Sequence, residues 1–194
     1  MTNIKSICVY CGSSNLVSDE HLAKAHQLGR MAAENDIEVV YGGGRVGSMG
    51  RVADGALAHN GTVTGIIPEY LDKLEVAHKD VNELIVVDSM HTRKMAMFER
   101  SDAFCILPGG LGTLDEFFEI ATWKQLGMHD KPLIIVNLEN FWTPLLDLIR
   151  HQISAGYLRQ NPDDIYSVVN NIEEVFTQLK SMPESNIETD LKQL

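Results

Sequence analysis

The chain has 194 residues, 44% of them hydrophobic and 22% charged, with a formal net charge of -11 at pH 7. That length and composition belong to one folded domain with a sizeable core, not to a fibrous or disordered chain. So acidic a body would repel polyanions, which argues against general nucleic-acid binding and adsorption to an anionic membrane surface but still allows a small anionic ligand at a local site.

No apolar stretch is long enough to cross a bilayer, and the opening MTNIKSICVY has no apolar signal core. The 3 cysteines, an odd number, fit a reduced, cytoplasmic setting. Apolar, β-branched runs predict strands at Ser6–Tyr10, Glu38–Tyr41, Thr62–Ile67, Leu84–Val87, Ala103–Leu107 and Leu133–Leu138, with Ile165–Val169 as a seventh. Helical stretches are predicted between them at His21–Asn35, Ser48–His59, Ser89–Ser101, Leu114–Leu126 and Phe141–Gly156. The strand runs are nearly continuous in apolar residues, as in strands covered on both faces. The expected fold is α/β: a three-layer, Rossmann-like arrangement with a mostly parallel sheet and helices on both faces. Residues 1–182 read as a single domain, and 183–194 as a polar, flexible tail.

In an open parallel sheet, ligands bind at the carboxyl ends of the strands. Three predicted strands end there in glycine turns: Gly12-Ser13-Ser14, Gly42-Gly43-Gly44-Arg45-Val46-Gly47, and Pro108-Gly109-Gly110-Leu111-Gly112-Thr113. The second matches G-x-G-x-x-G, with Glu69 near the end of the next strand where a ribose-binding acid would sit, so a nicotinamide cofactor competes with a simpler nucleotide. The pattern by itself is weak, because consecutive glycines satisfy it easily.

Cys8 and Cys11 form a CxxC, but Cys8 lies inside a strand and residues three apart there face opposite sides, so buried, inert thiols are expected. Cys105 reads the same way. The 7 histidines show no metal spacing, and His78-Lys79 is a weak match to a pyridoxal-phosphate pair. No metal is expected. Early in the third predicted helix, Arg93 reaches the glycine edge, whereas Arg100 lies further down and reads as structural.

The third glycine turn runs into Thr113-Leu114-Asp115-Glu116, which has the form of a capping box, T-x-x-E. A cap explains Thr113 and Glu116 but not the three glycines before them. Free amides at a helix N-terminus bind anions, and a carboxylate one turn further in faces whatever the anion carries.

These residues together resemble the Lonely Guy proteins, cytokinin riboside 5'-monophosphate phosphoribohydrolases often mislabelled as lysine decarboxylases. The resemblance spans Ile4 to about Tyr157. It rests on P-G-G-x-G-T-x-x-E at Pro108 to Glu116, Met-x-x-Arg-Lys at Met90, Arg93 and Lys94, the Cys-Gly-Ser-Ser and Tyr-Gly-Gly-Gly turns, and the stretch Thr122 to Pro132. Ser48 stands where the family usually has leucine and Asp115 where glutamate is common. The resemblance implies hydrolysis of the N-glycosidic bond of a nucleoside 5'-monophosphate, releasing base and ribose 5-phosphate, with Arg93 and Glu116 as the catalytic pair. It also implies a phosphate and ribose site at Gly109, Gly110, Gly112 and Thr113, and a nucleotide pocket lined by Gly12, Ser13, Gly43, Gly44, Gly47, Met90 and Lys94. A homodimer, a small-molecule partner and no cofactor follow as well. The alternative is a nucleotide sensor or carrier of the same fold without turnover.

Overall fold

The structure is a computed structural model that describes residues 4–72, 76–158 and 161–181. The expected tail at 183–194 lies outside the described residues.

Seven parallel strands form one sheet in the order β4-β3-β2-β1-β5-β6-β7. They are β1 (Ser6–Tyr10), β2 (Glu38–Tyr41), β3 (Val63–Pro68), β4 (Glu83–Val87), β5 (Ala103–Ile106), β6 (Leu133–Val136) and β7 (Ser167–Val169). The helices are α1 (Asp19–Glu34), α2 (Gly47–Leu57), the single turn α3 (Glu69–Asp72), α4 (Met90–Glu99), α5 (Leu111–Gln125), α6 (Thr143–Ser154) and α7 (Ile172–Ser181). Strand β1 is central, with Val9 opposite both Tyr41 of β2 and Cys105 of β5. The order of addition reverses between β1 and β5, which opens a crevice at their carboxyl ends.

Alternating residues of the inner strands feed two cores. Ile7, Val9, Val39 and Cys105 pack with α1, α2 and α7 on one face. Cys8, Tyr10, Phe104 and Ile106 pack with α4, α5 and α6 on the other. These are the three expected layers. Continuous burial holds for β1, β3, β5 and β6, whereas the edge strand β4 is half exposed. The period of two puts Cys8 and Cys11 into opposite cores. All three cysteines are free and buried, and burial pushes every thiol well up from its ordinary range, so none is a ready nucleophile.

Three helices differ from expectation. Helix α7 and the single turn α3 have no counterpart in the predicted elements. Helix α5 starts at Leu111, not Leu114, and its first helical hydrogen bond runs from Leu114 N to Gly110 O at 3.1 Å. Thr113 and Glu116 therefore lie inside the helix, and the capping box does not form.

Candidate active site

The carboxyl ends of β3, β2, β1 and β5 line a cavity of about 750 Å³. Its walls come from turns that the sheet brings side by side. Gly12 N donates to Pro108 O at 3.1 Å, and Met49 N donates to Gly12 O at 3.3 Å, so the backbone of Gly12 ties the third glycine turn to the start of α2.

At the α5 end, Gly110 is the N-cap and no side chain caps the helix. The amides of Leu111, Gly112 and Thr113 precede the first helical hydrogen bond and have no partner inside the helix. A Cβ on Gly110 or Gly112 would meet nothing within 4 Å, so those positions keep the amides open to the cavity. On Gly109 it would fall 2.7 Å from Thr113 Cβ and 3.0 Å from Gly12 N, so that glycine is required by the packing of the turn itself.

Behind this turn lies a buried ion pair. Arg93 is 5% exposed and Glu116 is 4% exposed, with Arg93 Nη1 at 3.4 Å from Glu116 Oε1. Ser89 caps α4 by accepting from Thr92 N, which sets α4 so that Arg93 reaches across the strand ends. Its Nε donates to Ile66 O at 3.1 Å and its Nη2 to Gly42 O at 3.4 Å. The guanidinium is thus fixed by two backbone carbonyls. Its contact with Glu116 is an ion pair without an aligned hydrogen bond, which leaves the carboxylate capacity for a ligand. Burial pushes the Glu116 carboxyl up to about 7, against the opposing pull of the Arg93 guanidinium. Asp115 and Glu119 push it the same way as burial, and Lys94 opposes them.

Of the residues expected in the site, Gly12, Ser13, Gly44, Gly109, Gly110, Gly112, Thr113, Arg93 and Glu116 line the cavity. Four others do not. Gly43 and Gly47 have positive φ, of 73° and 64°, and serve their turns: a side chain would strike Ile66 and Ile67 at Gly43, and Ser13 and Ser14 at Gly47. Met90 Sδ lies 3.9 Å from Arg93 Nη1, behind the guanidinium. Lys94 Nζ lies 3.2 Å from Asp115 Oδ2 and 3.1 Å from Glu119 Oε1, joining α4 to α5.

The cavity also takes residues outside the expected site set. Ser48 and Met49 come from α2, Ile67, Leu71 and Val76 from the β3 side, and His21 and Phe141 from the mouth. His21 packs edge-on against Phe141, and its Nε2 lies 3.1 Å from Glu139 Oε2 without hydrogen-bond alignment. These residues are far apart in sequence and share no motif, so only the fold assembles them. Glu69 is exposed and does not line the cavity, which removes the acid that a dinucleotide site would use on its ribose.

Among the described residues no lysine lines the cavity, and no group of histidine, cysteine and acidic residues could hold a metal ion. Lys79 sits at the surface beside Asp72, and the neighbouring His78 Nε2 lies 3.1 Å from Asp54 Oδ1, so this pair does not form a pyridoxal site. Arg100 pairs with Glu83 across the sheet edge at 2.9 Å.

The family model described as "Possible lysine decarboxylase" matches residues 49–179. A cytokinin riboside 5'-monophosphate phosphoribohydrolase of Rhodococcoides fascians is 40% identical over 91% of this chain and 90% of its own. One from Arabidopsis thaliana is 39% identical over 92% of this chain and 82% of its own. The molybdenum cofactor binding protein from Rippkaea orientalis superposes with a TM-score of 0.68 over 93% of this chain and 98% of its own. The molybdenum cofactor carrier protein from Chlamydomonas reinhardtii does so with a TM-score of 0.68 over 90% and 94%. At 22% and 19% identity these two share the fold alone. The chain belongs to the Lonely Guy family, whose model carries the lysine decarboxylase description.

Proposed function

We propose that the protein hydrolyses the N-glycosidic bond of nucleoside 5'-monophosphates, AMP or its N6-prenylated relatives, to free base and ribose 5-phosphate. The activity carried in the names of its relatives supports this reading. The observation that carries it is the buried Arg93–Glu116 pair directly behind the uncapped N-terminus of α5. The phosphate sits on the amides of Leu111, Gly112 and Thr113 as a handle that orients the sugar. Cleavage of the C–N bond leaves positive charge on the ribose, as in glycoside hydrolysis. Ionised Glu116 stabilises that charge and orients or deprotonates the attacking water. Arg93 stays protonated and cannot act as a general acid. It holds Glu116, positions the substrate and supports negative charge on the departing base. None of these steps calls for a lysine at the phosphate, because no phosphoryl group is transferred.

Lysine decarboxylation would require a lysine to hold pyridoxal phosphate, which the described cavity wall does not supply. A homodimer in the cytoplasm is part of the same proposal. It rests on the family resemblance and on free cysteines suited to a reducing compartment. Among the described residues no helix is long and apolar enough to cross a membrane.

The test is incubation with AMP, N6-isopentenyl-AMP and adenosine, with chromatography of the released base. Base release from the monophosphates, at least about a hundredfold slower from adenosine, is expected. Nucleotide binding without base release from any monophosphate would replace this reading with that of a sensor or carrier.

A further inference from the structure

Two nearly buried residues on the cavity wall carry hydroxyls that make no hydrogen bond with the described residues. Thr113, 3% exposed, stands in the first turn of α5, and Ser48, 5% exposed, stands in the first turn of α2. Both helices also lack a side-chain cap, whereas Ser18 and Ser89 cap α1 and α4. At the start of α2, Gly47 N donates to Asn15 Oδ1 at 2.9 Å and Met49 N donates to Gly12 O at 3.3 Å. The Ser48 amide between them has no acceptor among the described residues. Ser48 therefore presents a free N–H and a free hydroxyl at one place on the wall. A polar group on the wall without a protein partner is available to a ligand that supplies one.

The chemistry of the surrounding wall narrows what that ligand atom is. The α5 turn already offers several amides to an anion. The β3 side, with Ile67, Leu71, Val76 and Met49, is apolar and suits a base or its substituent. One amide and one hydroxyl together match an oxygen that both donates and accepts. The Gly12 backbone links the α2 turn to Pro108, so Ser48 and the phosphate turn border the same cavity.

We propose that Ser48 is a specificity-determining residue that binds a ribose hydroxyl of the nucleotide, its Oγ and its amide converging on one sugar oxygen. This rests on the nucleoside monophosphate reading above. Ser48 thereby fixes the rotation of the sugar that the phosphate turn holds at its other end, and the site selects ribonucleotides over the corresponding deoxynucleotide.

The experiment measures kcat/KM and calorimetric affinity for AMP, 2'-deoxy-AMP and 3'-deoxy-AMP with the wild type, Ser48→Ala and Ser48→Gly. The glycine variant restores a good helix-start residue without the hydroxyl, and thermal melts of both variants report folding. Because deoxyribosides differ in intrinsic lability, the quantity compared is the change in preference between proteins. Losing one neutral hydrogen bond should lower AMP binding and turnover about tenfold. The analogue lacking the contacted hydroxyl should be unaffected, so the ribose preference should collapse by the same factor. An equal loss on all three nucleotides, or none, in a folded variant would overturn the role of Ser48 while leaving the hydrolase reading intact. Absence of base release by the wild type would overturn the hydrolase reading, and the affinity ratios would then decide Ser48 alone.

Discussion

The pH dependence of turnover is where the buried pair should show itself. In the proposed mechanism Glu116 acts as an anion, so activity should follow its ionised fraction. Its carboxyl is pushed up to about 7 from an ordinary 4.5, chiefly by burial. For a single group at about 7, the ionised fraction falls from about 90% at pH 8 to about 1% at pH 5, close to a 90-fold loss in kcat/KM. At the ordinary value the same interval would cost less than about twofold. The substrate phosphate also titrates, near pH 6. Glu116→Gln separates the two effects, because the variant keeps the substrate's titration and lacks the carboxylate. Its amide oxygen can still accept from Arg93, and a melting curve should confirm that it folds. Two unit charges about 4 Å apart interact by about 4 kcal/mol at an effective dielectric constant of about 20. Losing that attraction to the developing sugar cation should slow turnover by about 10³ while AMP still binds. The assay is base release across pH 5 to 8, with the wild-type profile divided by that of Glu116→Gln. A flat ratio, or a folded variant within tenfold of wild type, would falsify the assignment of Glu116.

Two further outcomes follow from side chains around that pair. Gly110→Ala and Gly112→Ala should fold normally, since the added methyl meets open space; Gly112→Ala should even melt a few degrees higher, because alanine is about 1 kcal/mol better than glycine inside a helix. Both should weaken AMP binding about tenfold or more, whereas Gly109→Ala should lower the melting temperature through its clash with Thr113, as thermal melts with calorimetry can check. Lys94→Met would leave Asp115 and Glu119 unopposed beside Glu116, so the acidic limb should move to higher pH and cut kcat/KM about two- to threefold at pH 6, with Lys94→Arg restoring it. A raised KM for AMP with an unmoved limb would instead make Lys94 a direct ligand contact.

Much of the fold is legible along the chain because its strands are short apolar runs closed by glycine or polar residues. The predicted limits of β1 and β2 coincide with the observed ones. Helix α7 went unread although its signals are present. Asn171 Oδ1 accepts from Glu174 N at 2.9 Å, and Ile172, Val175, Phe176 and Leu179 recur on one buried face. The start of α5 misleads for a physical reason. Gly-Leu-Gly has poor helix propensity, and T-x-x-E copies a cap, so local rules place the boundary three residues late. The Arg93–Glu116 pair is legible through its motif, but the work of individual glycines is not. Gly43 and Gly110 look alike in sequence, yet one keeps its turn clear of Ile67 and the other faces open cavity. The positive φ of Gly43 and the position of the missing Cβ in space separate them. His21 and Phe141 meet at the mouth from opposite halves of the chain, beyond the reach of any local pattern.

The Pro108–Thr113 turn has a consequence for how such a site can change through descent. Gly109 answers to the scaffold, while a side chain at Gly110 or Gly112 would meet only the open cavity. Selection for a folded chain alone would therefore hold Gly109 and release the other two to drift. A duplicated copy could exchange one ligand for another by rewriting the open face of the turn while Gly109 keeps the turn packed.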